Sequence, residues 1–173
     1  MSILKIIASP ILPDSMAKKE AKKLLFCQVI IAIESASGKE VSRILDMPLE
    51  FSSLIIWLRE NKQSLLNDQI PIDSLPSESI AETINRFYTK SDFKDANADS
   101  LDGLMYNYRI SHGLRFALRG FNLPDIYMGL ANNNYSISCC EENQTWSYKF
   151  DMQHFLDSSE QVYHEILKKY SQK

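Results

Sequence analysis

The sequence predicts an α+β fold: a mainly antiparallel sheet, made of an N-terminal hairpin and a C-terminal four-strand meander, with helices packed on one face. Three observations carry this. A run of β-branched and aromatic residues lies near the start, segments with helical apolar spacing follow it and close the chain, and an alternation of period two runs from Leu104 nearly to Asp151. With 173 residues, five glycines, no internal repeat and no Gly/Ser linker, the chain reads as one domain over 1–173.

Residues 2–8 (SILKIIA) form the first expected strand, closed by Pro10 and Pro13. Residues 15–23 (SMAKKEAKK) are rich in helix formers and give a short helix. Residues 24–34 (LLFCQVIIAIE) suit a strand buried on both faces. They end at the turn cluster Ser35-Ala36-Ser37-Gly38, and a second arm follows over 40–46. Pro48 fits the first turn of a helix that places Phe51, Leu54, Ile55, Leu58 and Leu65 on one face. After Pro71 and Pro76 a second helix opens on Ser79 and Glu82, at capping-box spacing, with Ile80, Ile84, Phe87 and Tyr88 as its buried stripe. Residues 91–103 (SDFKDANADSLDG) read as a polar loop.

Strands are then expected over 113–120, 125–130, 135–140 and 145–150, with a turn at Asn132-Asn133-Asn134, residues that tolerate positive φ. Alternation sorts their side chains into an apolar face, including Leu114, Phe116, Ile126, Met128, Ile137, Trp146 and Tyr148, and a polar face. The polar face collects Arg115, Arg119, Tyr127, Ser136, Ser138, Cys140 and Lys149. Asp151 caps a last helix reaching about Tyr170, whose stripe of Phe155, Val162, Tyr163, Ile166 and Leu167 suits covering the apolar face.

Charge and composition restrict the function. Nineteen Lys and Arg against 22 Asp and Glu leave −3, with a pI near 5.6, which argues against a chain that lives on nucleic-acid phosphate. An apolar fraction of 45% excludes wholesale disorder. Three cysteines, two of them adjacent, differ from the even, spaced framework of a small secreted protein and point to a reducing cytoplasm. Residues 1–13 carry Lys5 inside their apolar stretch and no small-residue cleavage site, so they do not read as a signal peptide. The longest nearly apolar run, 24–33, is too short to span a bilayer.

Familiar chemistry is absent from the pattern. Cys139 and Cys140 point to opposite faces of a strand and lack zinc-ligand spacing. His154 and His164, ten residues apart on a helix, are rotated about 80° from one another, so they do not converge as an acid–base pair. Asp95, Asn97 and Asp99 open like a calcium loop, but Ser100 replaces the turn glycine and Tyr106 the bidentate glutamate. Lys18, Lys19, Lys22 and Lys23 lack interleaved aromatics and read as a solvated helix face. No metal, cofactor or catalytic residue is assigned.

Two surfaces remain. Between Asp68 and Asp102 eight acids face three bases, a local balance of −5, which would attract a basic partner; Asp92, Asp95, Asp99 and Asp102 are its expected contacts. The second is the polar sheet face, where Arg115, Arg119 and Tyr127 are residue types enriched at binding hot spots.

The C-terminal half carries a resemblance. Gly113-Leu114-Arg115-Phe116 through Asp125-Ile126-Tyr127-Met128-Gly129, then Trp146-Ser147-Tyr148-Lys149-Phe150-Asp151 into a terminal helix, resembles the small cytoplasmic immunity proteins that bacteria encode beside contact-dependent inhibition and other polymorphic toxins. The resemblance implies a non-enzymatic inhibitor that binds one cognate toxin domain, often a basic nuclease, and covers its active site or an exosite, without touching nucleic acid or membrane itself. Two other readings stand beside it. One is a small enzyme holding an anionic substrate on Arg115 and Arg119 with His112 as base; the other is an adaptor that dimerises through the same sheet face.

Overall fold

The computed structural model describes residues 2–11, 25–90, 98–118 and 120–171. The expected helix over 15–23, with its four lysines, lies outside them. Internal contacts divide the chain into two units, Met1–Glu60 with Gln153–Lys173, and Asn61–Met152.

In the first unit β1 (Ile3–Pro10), β2 (Phe26–Glu34) and β3 (Glu40–Glu50) form an antiparallel sheet in the order β1-β2-β3. β2 takes the centre, as its Val, Ile and Cys content suggests. Register places Leu4 opposite Ile33, Ile6 opposite Ile31, and Cys27 opposite Leu49, so the buried side chains share one face. The other face carries the Lys5–Glu34 ion pair at 2.9 Å and Arg43 bonded to Glu40 and Asp46.

Pro48 does not open a helix. It sits in β3 opposite Gln28, on an edge strand where a missing N–H leaves no inner ladder bond unmade. The helix α1 starts instead at Phe51 (Phe51–Glu60) and buries Phe51, Leu54, Ile55, Trp57 and Leu58. The terminal helix groups with this unit. Phe51 meets the Tyr163 ring edge-on at 6.1 Å, and Arg59 forks onto both carboxylate oxygens of Glu160 at 2.7 Å.

The second unit holds α2 (Lys62–Asn67), α3 (Ile80–Lys90), α4 (Ala98–His112), α5 (Leu114–Ala117), and the antiparallel meander β4 (Ile126–Ala131), β5 (Asn134–Glu141) and β6 (Gln144–Lys149). The terminal helix, α6 (Met152–Ser171), follows it. The α3 capping box is closed as its spacing predicts: the Ser79 N–H donates to Glu82 Oε2 at 2.9 Å and the Glu82 N–H donates to Ser79 Oγ at 3.3 Å. Asn132 and Asn133 take φ of 49° and 60° in the β4–β5 turn.

The meander has three strands, not four. Gly113 forms a single bridge to Tyr127, and the chain then coils into α5, because Leu114, Ala117 and Leu118 bury at helical spacing. The loop expected over 91–103 gives way to helix from Ala98. Leu101, Met105, Tyr108 and His112 recur at i, i+4, i+7 and i+11 and turn inward together.

On β4 and β5 the polar face of the meander is covered, whereas Thr145, Ser147 and Lys149 on β6 stay exposed. Ile80, Ala81, Ile84, Phe87, Met105, Tyr108 and Tyr127 form one buried cluster, and the Ala81 N–H at the start of α3 donates to Ser138 Oγ at 3.1 Å. Gly129, Ser136, Ser138 and Cys140 are small, and that permits α3 and α4 to approach the strands closely. Ile126, Met128, Ile137 and Cys139 on the opposite face are buried as well.

Candidate functional site

Of the expected contact residues, Asp92, Asp95 and Arg119 lie outside the described residues. Asp99 falls in the first turn of α4 and Asp102, half-buried, one turn on. Tyr127 is 2% exposed and faces the helical layer, not solvent. Among the described contact residues of the polar face, Arg115 keeps the exposed position expected of it, now on α5.

Arg115 and Tyr127 do meet, through Asp125. Arg115 Nη1 donates to Asp125 Oδ1 at 2.6 Å, and Arg109 Nη2 lies 3.6 Å from Asp125 Oδ2. Arg109 Nε donates to the Tyr127 oxygen at 3.0 Å while its guanidinium lies 4.9 Å from the centroid of the Tyr88 ring. Burial pushes the Tyr127 phenol up to about 12, so it stays protonated and serves as a neutral bridge. The Asp125 N–H donates to Glu141 Oε1 at 2.9 Å. Two guanidinium groups are thus held by one carboxylate of the chain itself, Asp125, which ties α4 and α5 to the start of β4.

The acidic stretch is only partly free for a partner. Arg86 forks onto Glu78 at 2.8 and 3.0 Å and donates to the Asp73 carbonyl at 2.7 Å, and this pairing holds the Glu78 carboxyl below its ordinary range. Glu82 is occupied by the cap. Asp68 and Asp73 are exposed and make no ion pair among the described residues.

These two carboxylates border linked depressions. An open one of about 680 Å³ lies between α2 and α4, with Ser64, Asn67, Asp68, Pro71, Leu104 and Asn107 among its walls. A second of about 310 Å³, holding Asp73, continues from it through the shared residue Gln69. A third of about 190 Å³ adjoins through Ala131 and Asn132 and is bordered by Glu78, Glu82 and Lys149. Gln69 is fixed by a bridge to Leu130, and Asp68 follows α2 with its N–H donating to the Ser64 carbonyl at 2.9 Å. Leu104 on α4 exposes just over half of its surface in the wall of the first depression. Sequence reasoning counted Asp68 and Asp73 in the acidic balance but found no groove, because its walls come from segments roughly 40 residues apart in the chain.

His112 is fully buried. Its ring stacks on Tyr108 at 3.7 Å, Nε2 lies 3.2 Å from the Ser64 carbonyl, and Nδ1 lies 2.8 Å from Ser111 Oγ and 3.0 Å from the Tyr108 carbonyl. An Nε2–H donating to Ser64 with the Ser111 hydroxyl donating to Nδ1 satisfies both nitrogens of the neutral ring. Burial drives its pKa down against the opposing pull of Asp68. Beside it the Tyr108 hydroxyl is buried with no hydrogen-bond partner among the described residues. Tyr108→Phe is therefore expected to stabilise the protein by about 1 kcal/mol, read as a raised urea midpoint at constant slope.

Cys139 is buried, and its thiol is pushed up to about 11, chiefly by that burial. Cys140 is half-buried and accepts from Asn85 Nδ2 at 3.5 Å. Cys139 is therefore not a low-pKa nucleophile. Among the described residues no group of three His, Cys, Asp or Glu is placed to hold a metal, and no helix is long and apolar enough to cross a membrane. No family model, no curated protein and no solved structure matches the chain.

Proposed function

We propose that this chain is an immunity-type protein that binds and neutralises a cognate toxin domain, acting as a macromolecular inhibitor and not as an enzyme. The observation that carries this reading is the pair of exposed carboxylates, Asp68 and Asp73, which make no ion pair among the described residues, while nearby Glu78 is held by Arg86. Such a surface offers net negative potential in a preformed shape, which speeds encounter with a basic partner and opposes like-charged ones. A basic nuclease fits that chemistry, because the ground that phosphates occupy is the ground an acidic inhibitor contests. The enzyme alternative asks His112 to act as an open base, whereas the ring is buried and its nitrogens are engaged. Asp99 and Asp102 on α4, together with Asp92 and Asp95, extend the acidic region of the sequence.

The test is co-expression with the toxin domain encoded immediately upstream. Growth should be rescued, and the association rate of the purified pair should fall steeply between low and physiological salt. A well-folded protein that gives no protection, or an association rate indifferent to salt, overturns the proposal.

A further inference from the structure

We propose that the α2–α4 depression and its continuation past Gln69 form one docking groove for an extended, arginine-bearing segment of the partner, one guanidinium pairing with Asp68 and a second with Asp73. This rests on the reading of the chain as an inhibitor of a protein partner and names the chemistry of the segment it holds.

Charge complementarity selects the occupant. Among the described residues, neither depression has a Lys, Arg or His in its walls, and each has a single carboxylate. Among the described residues no cation pairs with Asp68, and its field reaches inward as far as Tyr108 and His112, where it opposes ionisation of the phenol and favours the imidazolium. A cation seated at Asp68 completes that balance.

The walls select the side chain. Leu104 and Pro71 offer apolar surface to a methylene stem, while Asn107 and Gln69, which line the same depression as Asp68, bring side-chain amides able to accept further hydrogen bonds. A planar guanidinium with five donors uses such a mixed set better than a lysine ammonium does. Asp68 and Asp73 are five residues apart in the chain, so their Cα atoms are separated by at most about 18 Å. On an extended partner segment, side chains of one face repeat about every 6.8 Å, so arginines at i and i+2 reach along the groove.

The full-length chain, labelled with 15N, is titrated with the peptide acetyl-Gly-Arg-Thr-Arg-Gly-amide. Shift changes are expected at Ser64, Gln69, Leu104, Asn107 and Ser111, and should shrink as salt is raised. Asp68→Asn should weaken binding by about three- to fivefold with unchanged thermal stability, and Asp73→Asn by less, as exposed ion pairs do. Shifts that are absent or centred elsewhere, equal binding by Asp68→Asn, or equal binding of the peptide with glutamine for both arginines would each overturn the groove assignment. So would a neutral oligosaccharide that binds in the peptide's place. The two readings fail separately: growth rescue without peptide binding removes the groove alone, whereas peptide binding without rescue keeps a basic partner and removes the toxin.

Discussion

Gly129→Ala is expected to destabilise the second unit by about 2–3 kcal/mol, the cost of forcing a methyl into a filled core. A Cβ built at this position would lie 2.6 Å from His112 Cδ2 and 3.2 Å from the Tyr108 hydroxyl. His112 cannot retreat without leaving the Ser64 carbonyl, and Tyr108 is stacked on it. Gly103→Ala is the control, since a Cβ there meets nothing within 4 Å in α4. It should raise stability by about 0.5–1 kcal/mol through helix propensity alone. Urea titrations of the two variants should move in opposite directions. A neutral Gly129→Ala would mean that α4 does not press on β4 as described.

His112→Ala is expected to cost on the order of 3 kcal/mol, from the cavity left beside Tyr108 and the loss of the bond that ties α4 to α2. The same side chain sets a pH dependence. Burial depresses its folded pKa below the unfolded value of about 6.5, so as pH falls the unfolded chain takes up the proton first. Its contribution to stability is whole above about pH 6.5 and is lost as pH falls through the window below it. Asp68 narrows that window by favouring the charged ring. His112→Gln, measured from pH 7.5 to 5, should show a shallower loss of stability than the parent chain; parallel curves would assign the acid sensitivity to other groups.

Where local pattern and tertiary environment agree, the fold was legible in advance. β2 reads as a central strand from its β-branched and aromatic content and lies between β1 and β3, but it is buried chiefly on the face of Cys27, Val29, Ile31 and Ile33, and on the other face Phe26, Gln28, Ile30 and Glu34 are half-buried. Ser79 and Glu82 mark the start of α3, Asn132 and Asn133 turn β4 into β5, and the terminal helix begins at Met152, directly after Asp151. The misread elements have separate causes. In 113–120 the apolar residues Leu114, Phe116 and Leu118 alternate like a strand, yet Leu114, Ala117 and Leu118 also fit a helix, and a stretch that short satisfies both periods. In α4 the inward stripe includes Tyr108 and His112, whose polar atoms mask their role as packing residues.

By itself the sequence determined the α+β class, the strand-rich start, the capped third helix and the concentration of acid between residues 68 and 102, since each follows from nearest-neighbour periodicity or a simple sum of charge. Only the tertiary structure decided which of those acids stay unpaired, that Tyr127 and His112 turn inward, and that α2 and α4 leave a groove between them. The small residues at Gly129, Ser136, Ser138 and Cys140 looked like a solvent-facing set because polarity pattern records affinity for water and not volume. Packed against α3 and α4, they are the space that lets two helices lie close to a sheet.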